Sequence, residues 1–125
     1  MTAVLISREL LVATRIADAF ASAGRELLRL DKPSQLRGLD GISLVLVDWD
    51  QREPGWTEDL AAWVDRHKDA EAPDVILFGP HADLAAHAAA RASGLGPMWA
   101  RSKLFAEIGR LAEKADPGRP IRPGR

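Results

Sequence analysis

Asp48 and Asp50 are the residues whose type and placing offer chemistry, because they close the run Ser43-Leu-Val-Leu-Val-Asp48-Trp49-Asp50. A carboxylate at the end of an apolar strand can ligate a hard cation, accept a phosphoryl group or pair with a guanidinium. Arg8 and Arg101 are the candidate cationic partners. Together they could frame an anion pocket for a phosphate or nucleotide phosphate, helped by a helix N-terminus after Ser102. Neutralising Asp48 and Asp50 uses the same charges and is the plainer outcome. The plainer reading of Asp48 is likewise a structural carboxylate held by Arg8 or Arg101, and Asp50 reads as a loop residue or turn former.

The remaining polar residues add little chemistry. His81 follows a strand and could act as acid, base or phospho-acceptor, but it more simply opens a helix and faces water. His67 and His87 read as solvated helix-surface residues. No two of these histidines share an i, i+4 face, so no metal site is expected. The chain has no cysteine, which excludes a disulfide framework, a thiolate metal site and a thiol nucleophile. No Gly-x-Gly-x-x-Gly follows the first strand, where Ser-Arg-Glu-Leu stands instead. No Walker loop or Ser-x-Gly nucleophile elbow occurs either, and Gly94-Leu-Gly96 precedes a strand and closes a loop. With no nucleophile–base pair to be read, neither turnover nor a cofactor is expected.

The elements that must position these residues follow from the apolar pattern. The chain has 125 residues, 46% of them hydrophobic and 28% charged, which suits one domain with its own core. A net charge of −1 argues against binding nucleic acid by phosphate neutralisation. Arg8 and Glu9 interrupt the run after Ile6, so no secretory signal is expected. No stretch reaches the roughly 18 apolar residues that cross a bilayer, and a cytoplasmic protein without membrane contact is the expectation.

Ala3 to Ile6 predicts a first strand, and Ser7 is placed to cap a helix in which Val12, Ile16 and Phe20 recur before Gly24. Glu26 to Leu30 predicts a second strand, at a sheet edge because charges interrupt it. A short helix over Ser34 to Leu39 leads to the third strand. Thr57 is predicted to cap a helix reaching about Lys68, with Leu60, Ala61 and Val64 on its apolar side. Val75 to Phe78 is the fourth strand. The alanine-rich stretch from Ala82 to Ser93 is the fourth helix, Met98 to Ala100 the fifth strand, and Ser102 caps a last helix carrying Leu104, Ile108 and Leu111. Five strands alternating with five helices predict an α/β domain with a parallel sheet and right-handed crossovers. The continuous apolar run before Asp48 suits a strand buried on both faces. That places Asp48 at the strand's carboxyl end, the edge where open α/β sheets hold ligands.

This layout resembles the receiver domain of two-component response regulators over residues 1–114. Leu-Val-Leu-Val-Asp48 matches the third strand, which in that family ends in the phospho-accepting aspartate. Val75-Ile-Leu-Phe-Gly79 matches the fourth strand and Trp99-Ala-Arg-Ser102 the end of the fifth. The resemblance implies a flavodoxin-like (βα)5 three-layer sandwich with strand order 2-1-3-4-5. It also locates what this chain lacks. The acidic pair that holds magnesium with the aspartate reads Ser7 and Arg8, the Ser or Thr ending strand four is Gly79, and the lysine–proline pair ending strand five is Arg101 and Ser102. Of five characteristic side chains only Asp48 stands unchanged, which resembles the degenerate, pseudo-receiver branch.

Magnesium wants several oxygen ligands in octahedral array, and the loop after strand one supplies no carboxylate at Ser7 or Arg8. Arg8 would instead bring fixed charge to Asp48. At an effective dielectric near 20, a pair ~4 Å apart interacts by about 4 kcal/mol. An Arg8–Asp48 pair is therefore the expected built-in cation. In receivers the face of helix four, strand five and helix five is the usual partner or dimer surface. Here that face would carry His87, Arg91, Trp99, Lys103, Glu107 and Arg110, with Trp99 where the family places a switch aromatic. Trp49 and Trp56 flank the loop after Asp48 as core, lid or partner patch, and Trp63 reads as core or half-buried. From Ala115 the chain turns to Pro117, Pro120 and Pro123 with Arg119, Arg122 and Arg125, a flexible tail with the three-residue period of polyproline II. The functional expectation is a stand-alone receiver-like regulatory or adaptor domain acting by protein–protein contact, with another protein or with a second copy as a homodimer, without phosphorylation. The alternatives are a phospho-accepting receiver using Asp48 and an anion or nucleotide sensor using Arg8 and Arg101.

Overall fold

Runs of Val, Leu and Ile too apolar to face water on either side form a five-stranded parallel sheet with helices packed on both faces. The computed structural model describes residues 2–67, 73–79, 85, 88, 92, 94–95 and 98–114. The strands are β1 (Thr2–Ile6), β2 (Leu27–Leu30), β3 (Ile42–Asp48), β4 (Asp74–Gly79) and β5 (Met98–Ala100), in the order β2-β1-β3-β4-β5. This is the flavodoxin-like architecture expected from the sequence, with β2 at one edge.

Alternation along the strands sends side chains to two cores. Ala3 and Leu5 of β1, Leu44 and Leu46 of β3, and Ile76 and Phe78 of β4 face one way. Their neighbours in that core are Val12, Ile16 and Phe20 of α1 (Leu10–Ser22) and Leu104 and Ile108 of α3 (Arg101–Lys114). Val4, Ile6, Val45, Val47, Val75 and Leu77 face the other way, onto Leu36 and the Trp56, Leu60 and Trp63 side of α2 (Trp56–His67). α1 ends with Gly24 at φ 71° and with the Arg25 N–H donating to the Phe20 carbonyl at 2.8 Å, a Schellman close.

Several local expectations shift. The segment expected to be helical from Ser34 to Leu39 is one 3-10 turn over Pro33–Leu36. The Gln35 side chain ties it down by accepting from the Asp31 and Lys32 N–H groups, and Gly38 turns the chain away at φ 84°. α2 begins at Trp56, just after Gly55 with φ 97°, so Thr57 lies inside the helix; Ser102 likewise lies inside α3. On α2, Trp56, Leu60 and Trp63 are buried and Ala61 is exposed, so the apolar face is centred on the Leu60–Trp63 side and Trp63 lies in the core as expected. Of the expected alanine-rich helix, Ala85, Ala88 and Ala92 are helical, and the rest lies outside the described residues, as does the Pro/Arg segment from Ala115. Among the described residues no helix is long and apolar enough to cross a membrane.

Candidate functional site

The chain order reverses between β1 and β3, which makes the space beyond their carboxyl ends the switch point of the sheet. The register there sets the site. Ile6 lies opposite Val47, so the next residue on each strand, Ser7 and Asp48, meet. The Ser7 hydroxyl donates to Asp48 Oδ2 at 2.9 Å, and both side chains are fully buried. Ser7 Oγ also accepts the Glu9 N–H at 3.2 Å. Ser7 therefore ties the β1–α1 loop to Asp48; the α1 N-cap is Glu9, which makes no side-chain capping bond.

The cation at this site is Arg101, which enters from the other end of the chain. Its guanidinium Nη2 lies 2.9 Å from Glu9 Oε2, 3.8 Å from Asp50 Oδ2 and 3.9 Å from Asp48 Oδ1. The first contact is a hydrogen bond; the other two are ion pairs at longer range. Arg8, expected to pair with Asp48, points elsewhere. Its side chain is half exposed with Nη2 3.3 Å from Glu53 Oε2, while its N–H donates to Gln51 Oε1 at 2.7 Å. Ser7 is the residue that continues β1 inward, and alternation turns Arg8 away from the sheet end. Arg8 and Arg101 consequently share no carboxylate among the described contacts.

Asp48 Oδ1 is buried and has no hydrogen-bond partner, and neither has the buried Nε of Arg101. Burial pushes the Asp48 carboxyl above its ordinary range; the Ser7 hydrogen bond and the Arg101 charge offset this only in part, and Glu9 and Asp50 add to the rise. A carboxyl raised in the folded state favours folding below its unfolded value, and that contribution is lost as pH rises through the folded value. Asp48→Asn, which keeps an acceptor for Ser7 and removes the buried charge, is therefore expected to melt above the parent protein at neutral pH. The gap should close on acidification toward the ordinary aspartate range. Thermal melts across pH check this; an Asn variant that melts lower at neutral pH would contradict it.

Gly79 at the end of β4 borders the same space. A Cβ there would come 2.8 Å from Met98 Cε and 3.7 Å from the Asp50 nitrogen. Asp50 sits on a 3-10 turn, Trp49–Gln51, that brings its carboxylate back toward Arg101. Ser102 is exposed on the first turn of α3. Trp49, Trp56 and Trp63 are all buried in the α2-side core, so none of them forms a lid or an exposed patch.

Of the face expected to contact partners, Trp99 is partly buried with the Lys103 ammonium 4.6 Å from its ring centroid, and Glu107 pairs with Arg110 at 3.4 Å. His81, His87 and Arg91 lie outside the described residues. His67 is half-buried, its ring 4.5 Å from that of Trp63 and its Nδ1 2.8 Å from the Trp63 carbonyl. Two surface residues escaped sequence reasoning. Leu10 and Leu11 open α1 at 76% and 81% exposure. The sign was present, since two leucines preceding the Val12, Ile16 and Phe20 stripe cannot all share its face.

The chain matches no protein-family model and no curated protein in sequence. Its fold is shared with solved structures. A CheY-like response regulator receiver domain protein from Methanospirillum hungatei JF-1 is 13% identical with a TM-score of 0.64, covering 91% of this chain and 94% of that one. A response regulator receiver domain from Rhodospirillum rubrum is 17% identical, with a TM-score of 0.64 and coverage of 91% and 92%. The Mn(2+)-bound form of response regulator Rcp1 is 12% identical, with a TM-score of 0.67 and coverage of 98% and 99%. Such an ion does not fit the residues present here. Among the described residues no group of three His, Asp or Glu side chains is placed to hold a metal ion, and a guanidinium stands between Glu9, Asp48 and Asp50. At identities this low it is architecture that is shared: the chain has the receiver-domain fold of response regulators, with an aspartate at the carboxyl end of its third strand.

Proposed function

We propose that this chain is a receiver-like regulatory or adaptor domain that works by contact with a protein partner, without turnover and without phosphorylation at Asp48. The observation that carries this is the surroundings of Asp48. Its carboxylate is 0% exposed, bonded to Ser7 through one oxygen and facing Arg101 with the other. Phosphoryl transfer to a carboxylate needs an oxygen the donor can reach in line, and a cation to offset the incoming charge. The cation role at this position is taken by a side chain whose firmest partner is Glu9.

Contact with a protein is supported by Leu10 and Leu11. With Leu28 on the edge strand they are the large hydrophobics left exposed among the described residues, and the two adjacent on α1 make the kind of patch that marks a partner surface. Arg8 and Arg101 are each held by different carboxylates of this chain, so nothing favours a two-armed anion pocket.

The test is two-dimensional NMR of the labelled protein with magnesium and beryllofluoride, a phosphoryl mimic. The expected result is no change at the amides of Ser7, Asp48, Gly79 and Arg101. Shifts there that vanish in Asp48→Asn would establish a phospho-accepting receiver instead.

A further inference from the structure

We infer that the Arg101 guanidinium is the resident cation of this site, a tethered occupant that holds three carboxylates apart and thereby closes a latent site for a divalent metal ion. The inference rests on the reading of Asp48 as an unphosphorylated residue and gives its cause.

Two segments remote in sequence supply the three acids. Glu9 comes from the start of α1, Asp48 from the end of β3 and Asp50 from the turn after it, and all three approach the same Nη2 within 3.9 Å. One positive charge thus stands against three negative ones. Asp48 Oδ1 is an independent sign that the place is shaped for a ligand. It is buried, aimed at the guanidinium and makes no hydrogen bond. The guanidinium bonds Glu9 and stays 3.9 Å from Asp48 Oδ1, beyond hydrogen-bond distance. Hard divalent cations take carboxylate oxygens at about 2.0–2.6 Å.

As placed, the acids are too far apart to hold an ion. Glu9 and Asp50, however, are 37% and 40% exposed at their side chains, so each is able to swing inward once the spacer between them is gone. Asp48, anchored by Ser7, would remain as the fixed ligand. The acidic residues absent at Ser7 and Arg8 thus have a neighbour in Glu9, one residue further on, and Arg101 lies among Glu9, Asp48 and Asp50.

Mn2+ is the probe, its binding followed by electron paramagnetic resonance of the free ion. The parent protein is expected to show no saturable binding. Arg101→Met and Arg101→Gln should each gain saturable binding, and adding Asp48→Asn should abolish the gain. The Gln variant keeps a polar side chain of similar reach, in case the apolar one disturbs folding. Saturable binding by the parent at comparable affinity would overturn the inference. So would folded Arg101 variants that stay silent. Should both variants be unfolded, Mn2+ is expected to refold them by mass action, and failure to do so counts against the inference as well. These outcomes are separate from the beryllofluoride result: a phosphoryl mimic taken up by the parent refutes the unphosphorylated reading, whereas silent Arg101 variants refute only the assignment of Arg101 as the occupant.

Discussion

Ser7→Ala should cost this protein about 2–3 kcal/mol at neutral pH, far more than an alanine substitution at a serine ordinarily does. Removing the hydroxyl leaves a buried carboxylate without its hydrogen bond among the described residues, since Oδ1 already has none. An unsatisfied buried charge is penalised beyond the ~1 kcal/mol of a neutral hydrogen bond. The Glu9 N–H loses its acceptor at the same time, loosening the start of α1.

Two controls isolate the cause. In an Asp48→Asn background the same substitution should cost only about 1 kcal/mol, because no charge is stranded. The resulting coupling, above about 1 kcal/mol in a denaturant double-mutant cycle, is the signature of a direct contact. The deficit should also narrow in acid. Ser7 lowers the Asp48 carboxyl toward its ordinary range, so its removal raises that carboxyl further. The penalty is therefore largest above both values and falls away as pH drops through them. A single-site cost below about 0.5 kcal/mol, or additivity with Asp48→Asn, would show that the bond does not hold the loop.

The second large effect lies in the core under α2. Trp63→Ala is expected to lose about 3–5 kcal/mol, a large part of the 5–15 kcal/mol typical of a domain, and to lower Tm by about 10–20 °C. Trp63 is 1% exposed and packs in the α2-side cluster with Trp56 and Leu60, and its ring also supports His67. The Trp63 indole N–H is buried without a hydrogen-bond partner, which makes a discriminating control available. Trp63→Phe keeps most of the apolar volume and discards an unsatisfied donor, so it should cost less than about 1.5 kcal/mol. Calorimetry of the two variants side by side measures both; a Trp63→Phe cost well above about 1.5 kcal/mol would mean that the indole nitrogen has a partner.

Much of the fold was legible because strands and amphipathic helices announce themselves within a few residues. Ser43-Leu-Val-Leu-Val-Asp48 has no polar alternation, and such a run settles only between two helical layers. Val12, Ile16 and Phe20 recur with the helix period, and Leu104, Ile108 and Leu111 do the same, so the faces of α1 and α3 could be read directly. Where two signals competed at one boundary, the reading slipped by a residue. Thr57 is a good cap by type, yet Gly55 with its positive φ directly precedes α2, which begins at Trp56 and leaves Thr57 inside the helix.

The site was legible in Asp48, Asp50 and Arg101, but not in Glu9 and not in its pairings. Asp48 and Arg101 could be singled out from the ends of their strands, but Ser7 passed for a cap and Arg8 for the ion-pair partner. Nothing local separates these roles. Which of two adjacent residues continues the pleat inward depends on the parallel register of β1 against β3, and Ser7 and Asp48 are 41 positions apart. Arg101 reaches Glu9 across 92 positions, because β5 lies two strands from β3 and α3 starts at the same sheet edge as α1. By itself, then, the sequence determined the strands, their doubly covered sheet and the edge at which carboxylates and arginines gather, since hydrophobic periodicity is a property of short segments. Only the tertiary structure decided which arginine neutralises which acid and which tryptophans vanish into the core, since those outcomes depend on strand register and helix rotation, through which distant segments meet.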